Sequence, residues 1–306
     1  MLKKLLNQAT LPLTIVAKGP LLIKSGLEGG ADPAVPDMQF VRSNGQVYLP
    51  GSSLKGVFRS YSEKIARTVG ARCCNPFDDT FCGKRAEGQS DGRLIYRERK
   101  YSCRICQLFG STVMASRIRF EDAYPRGDIK PEVRTNVAID RVLGSVAAGP
   151  FDLEVVTKGT FQTEIHLRNF ELWQLGLLAL VLRDLCRGYV PLGFAKSRGL
   201  GEVKARVGPV RVKYRGARRD GNGAMILPDG RTLSLNQLYG IGALATKEDR
   251  DAYGLLETDA VDAAGEVDDD WLGVIFTLDG DAREAAFRAC VEERWVEVVN
   301  HDQPTQ

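Results

Sequence analysis

The chain has 306 residues, 43% of them hydrophobic, with a formal net charge of +3. That length holds one large domain or two smaller ones with a proper core, so staples are not needed. The near-neutral balance excludes global basicity as a source of nucleic-acid affinity, which must come from local clusters of charge.

The longest apolar run, 175–182, is too short to cross a bilayer, and Met1-Leu2-Lys3-Lys4 lacks the apolar stretch of a signal peptide. A soluble, cytoplasmic protein with no membrane partner is expected. Charge is nonetheless uneven: residues 183–219 are rich in Lys and Arg, whereas 248–281 are acidic and include Asp268-Asp269-Asp270. The acidic part reads more plainly as solvated surface than as a shield over a basic groove.

In chain order, residues 1–8 form a short amphipathic lead-in. Leu11 to Lys18 alternates as a half-buried strand. The loop from Ser25 to Asp37 follows, rich in Gly, Asp and Pro, and loops of this length are functional or mobile. Its two carboxylates, Asp32 and Asp37, are candidates for chemistry, although turn or capping roles fit them equally well. Asp37 precedes the strand-like Met38-Gln39-Phe40-Val41 and projects from its end. Pro50-Gly51-Ser52-Ser53-Leu54-Lys55-Gly56 then reads as a turn into a helix, with Ser52 or Ser53 as N-cap. Leu54, Val57, Phe58, Tyr61, Ile65 and Val69 continue it at helical spacing. Unpaired N–H groups beside Lys55 and Arg59 make a seat for phosphate, though the turn alone is more simply an ordinary cap.

Residues 71–111 hold five of the seven cysteines in a stretch poor in apolar residues. Disulfides do not suit a cytoplasmic chain, and Cys103-x-x-Cys106 is half of a common zinc knuckle. Cys82 with Cys74, or with Cys73, supplies the other pair; Cys74 is preferred. Four thiolates leave no open position, so the Zn²⁺ is structural, giving this segment the order that burial cannot.

Arg117-Ile118-Arg119-Phe120 alternates as a strand with a basic exposed face. The Gly- and Ala-rich 142–149 lies between Arg134–Arg141 and the strand Phe151–Val156, and reads as a hairpin. Phe161–Leu167 is another strand. It carries His166, and with His301 that makes two histidines in all, so paired-histidine catalysis is not expected and carboxylate with metal is the remaining route. Phe170–Arg187 is a core helix. Lys196-Ser197-Arg198-Gly199-Leu200-Gly201 reads as a strand-to-strand turn whose glycines let backbone N–H groups approach phosphates. The strand 202–207 follows. Beyond it, Trp271–Phe276 and Asp281–Trp295 read as a strand and a helix, packed on the core or forming a docking surface. The order strand, helix, strand, repeated, predicts an α+β, ferredoxin-like (RNA-recognition-motif-like) sheet split by insertions. Aromatic stacking strings are missing, so base-stacking readout is not indicated.

Four strings carry a resemblance in a fixed order: Pro50 to Gly56, Cys106-Gln107-Leu108-Phe109-Gly110-Ser111, Asn136-Val137-Ala138-Ile139-Asp140-Arg141, and Ser197-Arg198-Gly199-Leu200-Gly201. Together they resemble the RAMP superfamily of CRISPR proteins, and more narrowly the repeating backbone subunit of type III effector complexes, the Cas seven family. The likeness spans roughly residues 10 to 207. It implies a RAMP core over 1–207, with a zinc-binding insertion at 71–111, a thumb hairpin region at 134–156, and a C-terminal extension at 208–306. It implies guide-RNA contacts at Ser52, Ser53, Lys55, Arg59, Lys196, Ser197 and Arg198. Arg141, Val142 and Leu143 would lie at the thumb that wedges into the guide–target duplex. The family's cutting aspartate matches Asp37, with Asp32 the alternative, acting by 2′-OH attack assisted by Mg²⁺ or Mn²⁺. The implied partners are guide RNA, target RNA and other type III subunits. A non-catalytic subunit that only holds guide RNA is the competing implication; a guide-processing endonuclease is disfavoured by the scarcity of histidine.

Overall fold

Residues 3–28, 36–221 and 223–303 are described by the structure, a computed structural model. Alternation from Asn7 to Ala17 turns every second side chain to one side, and Ala9, Leu11, Leu13, Ile15 and Ala17 are all buried there. This first strand is the middle of an eight-stranded antiparallel sheet. Thr160–Arg168 lies along one flank, with Leu11 opposite Ile165, and Ile118–Phe120 lies beyond it. The other flank carries Val203–Val207 and Val210–Arg215, then Gly273–Leu278 and the acidic edge strand Glu266–Asp270.

The helices Gly51–Thr68 and Leu172–Cys186 complete a run of strand, helix, strand, strand, helix, strand. Across the sheet those four core strands stand in the order fourth, first, third, second. The architecture is mixed α/β. The helix Gly51–Thr68 buries Leu54, Phe58, Ser62 and Ala66, one per turn, and Phe58 meets Phe120 with ring centroids 4.9 Å apart. Leu172–Cys186 is buried on nearly every side, Trp173, Leu177 and Val181 included. The C-terminal helices are the reason. Trp295 stacks on Trp173 at 6.1 Å, and Gly176 lies where a Cβ would come within 2.5 Å of the Cys290 carbonyl oxygen.

A second, four-stranded sheet joins Lys24–Glu28, Met38–Phe40, Val146–Val155 and Glu132–Ile139. The last two form a long hairpin. The strand-to-strand turn expected at Lys196 is instead a helix-to-strand loop with one 3₁₀ turn, Lys196–Arg198. Arg117 departs from its expected exposed position: it is buried, stacks over the Tyr96 ring at 4.1 Å and donates to the Asn169 carbonyl. The strand begins one residue later, so its exposed cation is Arg119 alone. Among the described residues no helix is long and apolar enough to cross a membrane.

Candidate nucleic-acid interface and metal centre

Four cysteines converge from three short stretches of chain. Cys103 precedes the helix Arg104–Phe109 and Cys106 lies in it; Cys82 opens the short helix Cys82–Arg85; Cys74 lies just after Gly51–Thr68. All four are buried and none forms a disulfide. Their sulfurs lie within 4.8 Å of one another, with Cys74 Sγ 3.7 Å from Cys106 Sγ and 3.8 Å from Cys103 Sγ. A tetrahedral zinc with Zn–S of about 2.3 Å requires sulfurs about 3.8 Å apart, so donor set and spacing both fit a metal ion such as zinc.

The Cys74 thiol lies within hydrogen-bonding distance of Cys106 and Cys103. Four thiolates cannot coexist there without positive charge. Cys73 stays outside, its Sγ 3.6 Å from the Cys74 carbonyl oxygen.

The glycine turn differs from its expected form. Pro50 occupies the N-cap and no side chain of the turn bonds the helix; Ser52 is exposed and Ser53 half-buried within the first turn. The cap comes from another strand end: Gly51 N donates to Asp122 Oδ1 at 2.7 Å. The glycine is required because a Cβ there would come within 2.5 Å of the Phe120 carbonyl oxygen. A carboxylate thus fills part of the expected phosphate seat, and the cations lie one turn along. Lys55 and Arg59 line a groove with Ser52, Gly56, Phe109 and Thr112. Burial, and then the Arg59 charge, depress the Lys55 pKa. Arg59 is tied to the cysteine segment, donating to the Gly110 carbonyl at 3.1 Å and to Cys106 Sγ at 3.6 Å, besides pairing with Glu63 at 3.2 Å. Burial opposes its charge, yet Cys106 and Glu63 outweigh that and raise its pKa.

Lys196, Ser197 and Arg198 are all exposed on their 3₁₀ turn, between left-handed Ala195 (φ 54°) and Gly199 (φ 79°). Bonds from Phe194 N to the Leu22 carbonyl and from Gly201 N to the Pro20 carbonyl, both 2.8 Å, pin the loop. Burial, and then neighbouring Lys64, lower the Lys196 pKa. Lys55 beside Arg59 and Lys196 beside Lys64 place like charges together, an arrangement that an anion would relieve.

The hairpin presents its apolar tip to water. Asp140 Oδ1 accepts from Val142 N at 2.7 Å and Leu143 N at 2.8 Å, and those two bonds hold its carboxyl below the usual range. Val142 is 91% exposed and Leu143 78%, and Arg141 is exposed beside them. At the hairpin root, exposed Asp37 precedes the strand Met38–Phe40, and its Oδ2 accepts from Asp152 N at 2.8 Å. Asp32 lies outside the described residues.

Three features escaped sequence reasoning. Asp122 is one. The Glu154–Arg42 pair beside Met38–Phe40 is another, hidden because Glu154 reads as one more polar residue of an alternating strand. The third surrounds His166: its Nδ1 is 3.2 Å from Thr10 Oγ1 and its Nε2 3.0 Å from Glu121 Oε1, with Glu164 close by. These three acidic and imidazole groups could also hold a cation, but Arg119 already pairs with Glu121 at 2.8 Å.

A cation-lined groove, a basic glycine loop and a projecting apolar-tipped hairpin thus stand on one mixed α/β frame. The model of the RAMP superfamily matches residues 14–204, well over half of the chain, and the chain belongs to that superfamily. Membership points to a CRISPR-associated RNA-binding subunit. No curated protein matches the chain.

Proposed function

We propose that this chain is a guide-RNA-binding backbone subunit of a type III CRISPR effector, built on a ferredoxin-like core, that cuts guide-paired target RNA at Asp37. Support for the core is the fourth, first, third, second strand order. Guide RNA lies along Lys55, Arg59, Lys196 and Arg198, other subunits of the effector flank it, and Cys74, Cys82, Cys103 and Cys106 carry a structural Zn²⁺. The observation that carries the nuclease reading is placement: the Asp37 carboxylate lies at the root of the hairpin whose tip offers Val142 and Leu143 to an unstacked base step.

The chemistry is attack by the ribose 2′-oxygen on the adjacent phosphorus. The 2′-hydroxyl gives up its proton, the P–O5′ bond breaks, and O5′ leaves with a proton from water, giving a 2′,3′-cyclic phosphate and a 5′-hydroxyl. Asp37 Oδ2 is held by the Asp152 N–H, and among the described residues Oδ1 is the oxygen left to take the proton or to meet a cation. Among the described residues no group of three ligand side chains includes Asp37, so Mg²⁺ or Mn²⁺ would be bound by this carboxylate with water and RNA oxygens. Such an ion, when bound, supplies charge neutralisation on the phosphate.

Asp37→Ala in the guide-loaded complex is expected to abolish cutting of a labelled target and leave target affinity unchanged. Undiminished cutting moves the role to Asp32 or to another subunit. The second reading, a non-catalytic subunit that only holds guide RNA, is favoured by the tie between Asp37 and the hairpin backbone, which equally suits a structural carboxylate.

A further inference from the structure

The strand that follows Asp37 is held to the hairpin by very little backbone. Met38–Phe40 makes one parallel pairing with it, Met38 opposite Leu153. Phe40 N donates to a hairpin side chain, Glu154 Oε2, at 2.8 Å. The same carboxylate grips Arg42 with both oxygens, Nη1 to Oε2 at 2.7 Å and Nη2 to Oε1, and Arg42 Nη1 also donates to the Phe40 carbonyl at 3.1 Å. One ion pair therefore engages both polar groups of the Phe40 backbone.

The pair is not a surface ornament: the Glu154 side chain is 12% exposed and that of Arg42 34%. Bidentate pairs with one end buried are strong and geometrically strict. Burial opposes the Glu154 charge, but Arg42 and the Phe40 N–H outweigh it and lower its pKa. Two residues back on the same hairpin strand, Asp152 N holds Asp37, and the Asp152 carboxylate accepts from Thr135 Oγ1 on the opposite hairpin strand at 2.6 Å. Phe40 itself is buried and anchors the strand in the core.

We infer that Glu154 and Arg42 form a latch that fixes the Asp37 strand to the hairpin, so that a target strand seated on the hairpin meets Asp37 at a constant offset. The inference rests on Asp37 as the cutting residue. Neither latch residue touches RNA in this role; both are positioning residues.

The test is single-turnover cleavage and target affinity of the guide-loaded effector with end-labelled complementary RNA, comparing Asp37→Ala, Glu154→Ala, Arg42→Lys and the exchange Arg42→Glu with Glu154→Arg. Misplacing a reacting group by about 1 Å costs about a hundredfold. Glu154→Ala should therefore cut roughly ten- to a hundredfold more slowly at unchanged affinity, Arg42→Lys should show a smaller loss of the same kind, and the exchange, which takes the acceptor from the Phe40 N–H and the donor from the Phe40 carbonyl, should stay slow at unchanged affinity. If Asp37→Ala cuts normally, the nuclease reading falls and the latch falls with it. If Asp37→Ala is dead while Glu154→Ala and Arg42→Lys cut at full rate, the latch alone is wrong. Loss of affinity in parallel with rate would make the pair part of the RNA surface or of the fold, and also overturns it. Should Glu154→Ala not assemble, Arg42→Lys and the exchange decide on the same readouts.

Discussion

The cysteine segment and the hairpin both interrupt the run of core elements, and they find their order in opposite places. The first turns inward: Cys74, Cys82, Cys103 and Cys106 are buried together, Gln107 Nε2 donates to the Tyr96 carbonyl at 2.8 Å, and Arg104 clamps Asp302 of the C-terminal helix at 2.9 Å. The hairpin has no inside beyond its root. Every residue of Glu132–Ile139 is exposed, and on its partner strand only Leu153 and Val155 are buried. Apolar Val133, Val137, Ile139, Val142, Leu143 and Val146 all face water. Apolar surface that the fold leaves uncovered marks a contact with something else. A segment ordered from within supports the scaffold, whereas one ordered only at its base is free to conform to a ligand.

Removing one thiolate should break the first half of that contrast most severely. Cys106→Ser deletes one of the four donors and the sulfur that Arg59 contacts. Metal sites of this kind supply folding energy outright, so a loss of at least about 3 kcal/mol is expected, a large share of the stability of an ordinary domain. Thermal melting with metal analysis checks it: bound metal should be lost and the midpoint should drop sharply. Cys73→Ser should melt like the parent and keep its metal. A Cys106→Ser protein that melts like the parent would mean the four thiols merely pack, and the segment would then owe its order to burial alone.

How far the sequence carried depended on how local each signal was. Alternation exposed the first strand and Thr160–Arg168, because period-two burial is written into neighbouring residues. Cys103 and Cys106 were legible for the same reason, three residues apart on one turn. The capping partner of Gly51 was not, because Asp122 lies 71 positions away and only the sheet brings it there. Paired serines after a Pro-Gly turn looked like the better cap, and tertiary structure overrode them. Asp37 could be placed at a strand end, but its bond to Asp152 spans 115 positions and had no local trace. The Arg117 error came from starting the strand one residue too early: Ile118–Phe120 alternates as expected, but Arg117 lies just before it, outside the alternation, and packs over the Tyr96 ring. A measurement separates the two caps: Asp122→Ala should cost about 1 kcal/mol in denaturant unfolding, while Ser52→Ala and Ser53→Ala should stay within about 0.5 kcal/mol of the parent. The reverse order would return the cap to the serines and reopen the helix N-terminus as a phosphate seat.

The smallest effect on stability is expected where the chain looks most exposed to damage. Replacing Val142 and Leu143 together by serine removes two apolar side chains that make almost no contact with the fold, at 91% and 78% exposure. The turn itself survives, since Asp140 holds it through the backbone N–H groups of those positions rather than their side chains. Unfolding free energy should therefore move by no more than about 0.5 kcal/mol. Function should not be spared in the same way. An apolar finger offsets the cost of an opened base step by filling it, and a hydroxyl-tipped finger cannot, so the evenly spaced cuts expected of the loaded complex should weaken or lose their spacing while guide loading persists. If the variant instead melts well below the parent, the tip packs against the protein in solution, and the division between a segment ordered from within and one waiting for its ligand does not hold.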